Sequence, residues 1–332
     1  MILLRNSEIN PEKWDTLLSE SNYSSPFQTR DFFQLYNSVP GHSAEVFGLE
    51  DSGNLLALCV IIKQKEKGIK AFFSRRAIIY GSPLFIDGSE RSVELLLQHV
   101  SLELKKEAIY IEVRNYFDAE KLKSAYTRDG WKWIPYLDIH LSLKEYSLED
   151  ILGKMKYNRR REIKLSISEG ATYREAKDSS DIECLYHILK ELYTDKVKLP
   201  LPDIDFFYAM FRSTTGKVFI VLHKEKIIGG SFCFYLKRKA IYTMYYCGIR
   251  NYHKKIFPTH LSILSVIDFG IRNNIEYLDF MGAGVKGKEY GVRNYKEEFG
   301  GELVEYGRFR KVNNRFLFQV GELGLKMLKL IH

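Results

Sequence analysis

Lys217–Arg250 reads KVFIVLHKEKIIGGSFCFYLKRKAIYTMYYCGIR, and its punctuation decides the fold. KVFIVLH predicts a strand, KEK a turn, IIGGSFCFYLKR a second strand and KAIYTMYYCGIR a third, each rich in β-branched and aromatic residues. Working outward, PTHLSILSVIDFGIRNN predicts a helix with proline at its start, and IEYLDFMGA a closing strand. The same order occurs earlier. SAEVFGLE and LLALCVIIKQK flank the turn DSGN, RAIIYGSPLF gives a strand, SVELLLQHVSLELKKE a helix, and AIYIEVRN a strand. Leu55 aligns with Ile227 and Ala108 with Glu276, offsets of 172 and 168, so two copies of one α/β unit are the simplest account.

Between the copies, YSLEDILGKMKYNRRREIKLSISEG predicts one long helix ended by Gly170. DIECLYHILKELYTDK and PDIDFFYAMFRS predict two more. A first domain at 1–145, a second at 146–312 and a C-terminal helix at 313–332 follow. That last helix, NRFLFQVGELGLKMLKLIH, is amphipathic. Packing on the first domain is one use for it, and attachment to a membrane surface, helped by Lys326 and Lys329, is the other.

Composition narrows the function classes. A chain of 332 residues, 45% hydrophobic and 28% charged, reads as a globular protein with room for two cores. The net charge of +8 suits a partner rich in phosphate or carboxylate. MILL is too short for a signal-peptide core, and no apolar run reaches 18 residues, so a cytoplasmic location is expected. Cys59, Cys184, Cys233 and Cys247 form no CxxC pair and read as free thiols. His253 and His260 stand seven apart with no HxxxH or HxH, so no metal is expected. No G-x-S-x-G elbow is present.

Strand hairpin, central strand, helix and parallel strand is the order of the acetyltransferase-type (GNAT) fold. SPFQTRDFFQLY, RRAIIYGSPLF, NRRREIKLSISEG and LDFMGAG…NYKEEFGGELVEY together resemble the Fem family of aminoacyltransferases, from about Trp14 to Tyr306. That resemblance implies a tandem GNAT fold in the α/β (α+β) class and an enzyme needing no cofactor. The implied reaction moves an amino acid from aminoacyl-tRNA to an amine of a nucleotide- or lipid-linked peptidoglycan precursor. No heptad run long enough for the family's coiled-coil arm occurs, so the chain is similar to an armless member. Two alternatives stand beside this reading: an N-acyltransferase using acyl-CoA or a carrier on a surface-polysaccharide sugar, and a non-catalytic double-GNAT binding protein.

The candidate residues follow. Gly282, Gly284 and Gly287 fit G-x-G-x-x-G, but no apolar helical stripe follows, so the stretch reads as a loop leaving a strand end. Arg250-NYHKKIFPTHL has no glycine between Gly248 and Gly270, which argues against a backbone cradle for the CoA pyrophosphate. In a GNAT unit the reaction lies where the fourth and fifth strands splay, here YTMYYCGI and YLDFMGAG. The resemblance gives Lys296 contact with the reacting groups, as a partly exposed donor to an oxyanion or the tRNA 3′ end, flanked by Tyr295. Asp279 reads as its partner or as proton acceptor, with Tyr245, Tyr246 and Arg293 as substrate contacts. Arg30, set against the macrodipole at a helix start near Asp31, and Lys198 are expected on the acceptor's phosphates. Arg159, Arg160 and Arg161 are expected on tRNA phosphate.

Overall fold

The computed structural model describes residues 1–66, 68 and 71–331, with side chains as far as Gly324. The chain divides into two compact units, residues 1–135 with 306–332, and residues 136–305. Each is built on one mixed sheet.

The sheet of unit 1 uses β1 (Ile2–Arg5), β2 (Ser43–Asp51), β3 (Asn54–Gln64), β4 (Arg76–Tyr80), β5 (Leu84–Phe85), β6 (Tyr110–Arg114) and β7 (Lys132–Ile134). That of unit 2 uses β8 (Asp138–Ser142), β9 (Thr172–Glu175), β10 (Gly216–His223), β11 (Lys226–Leu236), β12 (Ala240–Gly248), β13 (Tyr277–Asp279) and β14 (Glu302–Val304). The last strand, β15 (Arg308–Val312), returns to unit 1. The orders are β1-β2-β3-β4-β6-β15-β7, with β5 on β3, and β14-β8-β13-β12-β11-β10-β9. Among the described residues each sheet has one parallel pair, β4 with β6 and β12 with β13, joined by the helices Glu90–Glu103 and Pro258–Arg272. A strand–helix–strand crossover of this kind must run parallel, which is why the helix separates them in sequence.

The repeat extends to local irregularity. Ladder shifts leave Leu56 of β3 and Ile228 of β11 as the extra residue of a β-bulge, again 172 positions apart. Each unit thus bends its hairpin at the same place. The cores differ in composition but not in plan: Phe47, Ile61, Ile79, Leu97 and Val113 in unit 1, and Val221, Cys233, Ile241, Leu264 and Leu278 in unit 2.

Four features depart from the sequence reading. The division expected near 145 comes at 135/136, because Asp138–Ser142 pairs with β13 of unit 2. Residues 306–312, assigned by sequence to the second domain, belong to unit 1, where 308–312 pair with β6. Each parallel strand therefore receives an antiparallel neighbour from the far end of the other copy's sequence. The long helix is two, Leu148–Lys154 and Tyr157–Ser168, because Met155 is extended and buried and Lys156 N–H donates to the Glu298 carbonyl. Gly170 ends the second at φ +90°. Finally, the 282–300 loop contains a helix, Gly291–Glu297, which carries Tyr295 and Lys296.

Candidate functional site

In unit 2 the two parallel strands part early. β12 runs nine residues, yet only Ala240, Ile241 and Tyr242 face β13, opposite Tyr277, Leu278 and Asp279. Beyond that, a bulge leaves Met244 unpaired against β11, and Tyr245 and Tyr246 have no partner in β13, which leaves an opening beside them. The opening has aromatic walls. Tyr246 stacks on Tyr295 at 6.0 Å between centroids, and Tyr245 meets Tyr193 edge-on at the same distance. Burial pushes three of these phenols upward: Tyr193 to about 12, and Tyr246 and Tyr295 well above the ordinary value.

The base of the opening is the end of β13, held by its own downstream helix. After Asp279 the chain turns through Met281 (φ +53°) and Gly282 (φ +71°), which aims successive carbonyls inward. Lys296 Nζ donates to the carbonyls of Phe280 (2.6 Å), Met281 (2.8 Å) and Gly282 (2.8 Å). Arg293, one turn earlier, donates to those of Ala283, Val285 and Lys288. Two cations of one short helix thus anchor six carbonyls of the preceding loop.

Lys296 is buried at 4% exposure rather than partly exposed, and all three of its hydrogens are given to the backbone. Burial pulls its pKa down to about 8, against the opposing carboxylates of Asp138 and Asp279. Asp279, fully buried, accepts from Met281 N–H at 2.6 Å and lies 3.0 Å from His140 Nε2. Asp138 accepts from Gly282 N–H at 2.9 Å; burial and then the Asp279 charge raise its pKa well above the carboxylate range. Burial lowers the His140 pKa, but Asp279 beside it outweighs this and raises it. Asp279 therefore lies between the positive charge of Lys296 and a protonatable imidazole, with Asp138 held toward its neutral form beside them.

A second buried network lies on the other side of Tyr295. The Arg159 guanidinium sits over the rings of Tyr295 (4.3 Å) and Phe299 (4.8 Å), donates to Glu298 at 2.6 Å and contacts the His260 ring. His260 Nδ1 lies 3.2 Å from the Tyr295 hydroxyl, and Nε2 lies 3.0 Å from Glu162. Glu162 alone would favour the imidazolium. Burial and the adjacent Arg159 charge oppose it and bring the His260 pKa down to about 3.

The sequence candidates separate accordingly. Lys296, Asp279, Tyr295, Tyr246, Tyr245 and Arg293 gather around the strand end. Arg159, expected on phosphate, is 3% exposed and spent on its aromatic and carboxylate neighbours. Arg160 donates to the Gly153 carbonyl, and Arg161 is exposed. Lys198 is exposed, in a left-handed turn at φ +56°. Arg30 lies in unit 1, where its helix begins at Arg30 itself; its Nε donates to Asp15 at 2.9 Å, which offsets the unfavourable charge at that helix start. His260, Glu162, Asp138 and His140 were missed by sequence reasoning. For the last two the signal was present: DIHLS alternates polar and apolar residues, the mark of a half-buried strand.

A surface pocket lies at the start of the helix Pro258–Arg272, lined by residues including Arg250, His253, Lys254, Phe257 and His260. Phe257 N–H donates to Ser166 Oγ at 2.9 Å, Pro258 has no N–H, and a Cβ on Gly248 would stand 2.6 Å from Thr259 N. Among the described residues no group of three or more His, Cys, Asp or Glu is arranged to hold a metal ion, and no helix is long and apolar enough to cross a membrane.

Residues 153–297 match the family model described as acetyltransferase (GNAT) domain. Both units have the GNAT fold. No curated protein matches the sequence. Among solved structures the chain is similar to FemX (13% identity, 96% of this chain and 99% of that one, TM-score 0.71). It is also similar to the C-terminal domain of a putative lysylphosphatidylglycerol synthetase from Agrobacterium fabrum (12%, 96% of each chain, TM-score 0.63). A third likeness is to a tandem GNAT protein from the clavulanic acid biosynthesis pathway (9%, 94% and 99%, TM-score 0.58). The matches establish a tandem GNAT-type acyltransferase fold.

Proposed function

We propose that the protein is an aminoacyltransferase that moves an amino acid from aminoacyl-tRNA to an amine on the peptide of a nucleotide- or lipid-linked peptidoglycan precursor. The observation that carries this reading is the start of the helix Pro258–Arg272. An acyl-CoA enzyme of this fold holds pyrophosphate on free backbone N–H groups at that turn. Here the Phe257 N–H is taken by Ser166, Pro258 has none, and the His260 N–H donates to the Phe257 carbonyl at 3.0 Å. The cationic side chains Arg250 and Lys254 at the adjoining pocket suit a polyphosphate backbone read by side chains instead. The likenesses to FemX and to a putative lysylphosphatidylglycerol synthetase are consistent with aminoacyl transfer.

The chemistry needs little from a nucleophilic side chain. A neutral acceptor amine attacks the ester carbonyl, the new C–N bond forms, the C–O bond to the ribose breaks, and the ribose oxygen takes up a proton. An acceptor lysine begins protonated, with an ordinary pKa of about 10.4, so the opening must also accept a proton. The opening between β12 and β13 would bind the ester along the rings of Tyr246 and Tyr295. Lys296 acts there as a fixed positive charge beneath the developing oxyanion and as the anchor of the strand end. Its committed hydrogens make it a positioning residue, not a direct donor. Asp279 faces that charge and, through His140, offers a route for the proton.

Transfer from a mixture of radiolabelled aminoacyl-tRNAs to a UDP-linked muropeptide tests this. Label in the precursor, abolished by ribonuclease, is expected, with no acetyl-CoA binding in the micromolar range by calorimetry. Stoichiometric acetyl-CoA binding with no tRNA-dependent transfer would overturn it and favour the acyl-CoA alternative.

A further inference from the structure

Unit 1 leaves an apolar surface uncovered. The helix Arg315–Ile331 packs inward through Leu317, which is buried, and Phe318, edge-on to Tyr110 at 5.4 Å between centroids. Gly321 lets it approach the short helix Ala71–Ser74 so closely that a Cβ there would stand 3.3 Å from the Phe73 carbonyl oxygen. On another face, seven residues apart and so aligned along the helix, Phe316 and Leu323 are 72% and 58% exposed. Met327 and Leu330 extend that stripe in the sequence. The neighbouring Phe72 and Phe73, edge-on to each other at 5.1 Å, are 54% and 42% exposed.

The sequence around these side chains is predominantly basic, although Lys63 is paired with Glu45 and Glu107. Between 63 and 76 the sequence holds Lys63, Lys65, Lys67, Lys70, Arg75 and Arg76 against Glu66 alone. The Arg75 guanidinium lies over the Phe72 ring at 5.3 Å. Arg315, Lys326 and Lys329 face Glu322 alone on the terminal helix from Arg315 onward. Aromatic and aliphatic side chains standing clear of the surface, rimmed by lysine and arginine, match the two halves of an anionic bilayer surface: an apolar boundary beneath negatively charged headgroups. A second copy of the chain fits less well, since a two-fold contact would set this basic rim against itself.

We propose that the face formed by Phe72, Phe73, Phe316 and Leu323 seats the protein on anionic phospholipid membranes. It is independent of the reaction assigned above, and its test involves no transfer assay. In vesicle flotation, the full chain floats with phosphatidylglycerol–phosphatidylcholine vesicles and at least tenfold less with phosphatidylcholine alone, and binding to the former weakens as salt rises. Phe72→Ser/Phe73→Ser and Phe316→Ser/Leu323→Ser each reduce flotation about tenfold, while circular dichroism melts stay within a few degrees because the side chains are exposed. Absence of flotation with anionic vesicles, or flotation unchanged in both double variants, overturns the proposal. So does a dimer seen by light scattering that both variants abolish and that vesicles do not compete away, which assigns the face to a second copy.

Discussion

The two units share one plan and differ where their parallel strands end. In unit 1, β4 and β6 pair along their whole length, Arg76 with Tyr110 through Tyr80 with Arg114. In unit 2 the pairing stops after three residues, and the Met244 bulge, which has no counterpart in β4, turns the rest of β12 aside. The buried charges differ in the same way. Glu112 of β6 is surrounded by Arg114, Arg308 and Arg310, which outweigh its burial and bring its pKa down to about 2. That is a carboxylate fixed as an anion, suited to pinning β15 against β6. At the matching strand end of unit 2, burial dominates: the Asp138 pKa rises and that of Lys296 falls to about 8. One unit closes its parallel pair along its length, and the other ends its pair over two buried groups that burial moves toward their uncharged forms.

Lys296→Met gives the largest effect and attacks this contrast directly. It leaves three inward carbonyls without their donor, at a cost of about 1–3 kcal/mol, which lowers Tm by roughly 2–4 °C per kcal/mol. Loss of the fixed charge should also cut turnover by about 10²–10³. A thermal melt together with a transfer assay checks both. An unchanged Tm would mean that Lys296 does not hold the strand end.

A smaller effect sharpens the role of the second network. His260 titrates near 3 in the fold and near 6.5 in the unfolded chain. Its depressed pKa means that the stability is fully present above about pH 6.5 and is lost as pH falls toward 3, because the unfolded state takes up the proton first. Between pH 6.5 and 5 this amounts to about 2 kcal/mol. His260→Asn should flatten that part of a urea-denaturation pH profile. Parallel profiles for the two proteins would show that His260 takes up its proton in the fold as readily as in the unfolded chain.

Much of the architecture was legible because hairpins, turn residues and helix periodicity are local signals. The repeat offset of 172 read from Leu55 and Ile227 recurs in the bulges at Leu56 and Ile228. The strand exchange was not legible, since nothing in DIHLS or RFRKV states which sheet will accept it. Nor did RRRE in the helix Tyr157–Ser168 reveal its state: the run reads as a phosphate contact, whereas Arg159 is enclosed by Tyr295, Phe299 and Glu298 from 136 to 140 residues downstream. Lys296 was singled out through the family resemblance as a partly exposed residue, and its burial depends on Met281 and Gly282 turning left-handed, which only the folded backbone displays.

The central claim is that chemistry occurs at the opening in unit 2 and not at the corresponding strand end of unit 1. The most direct measurement is the single-turnover rate of aminoacyl transfer, at saturating acceptor, for Tyr246→Ala on β12 and Tyr80→Ala on β4. The account predicts a fall of about 100-fold for Tyr246→Ala, because the aromatic wall that positions the ester is removed, and a change within about threefold for Tyr80→Ala. A rate that survives in Tyr246→Ala and collapses in Tyr80→Ala would contradict it.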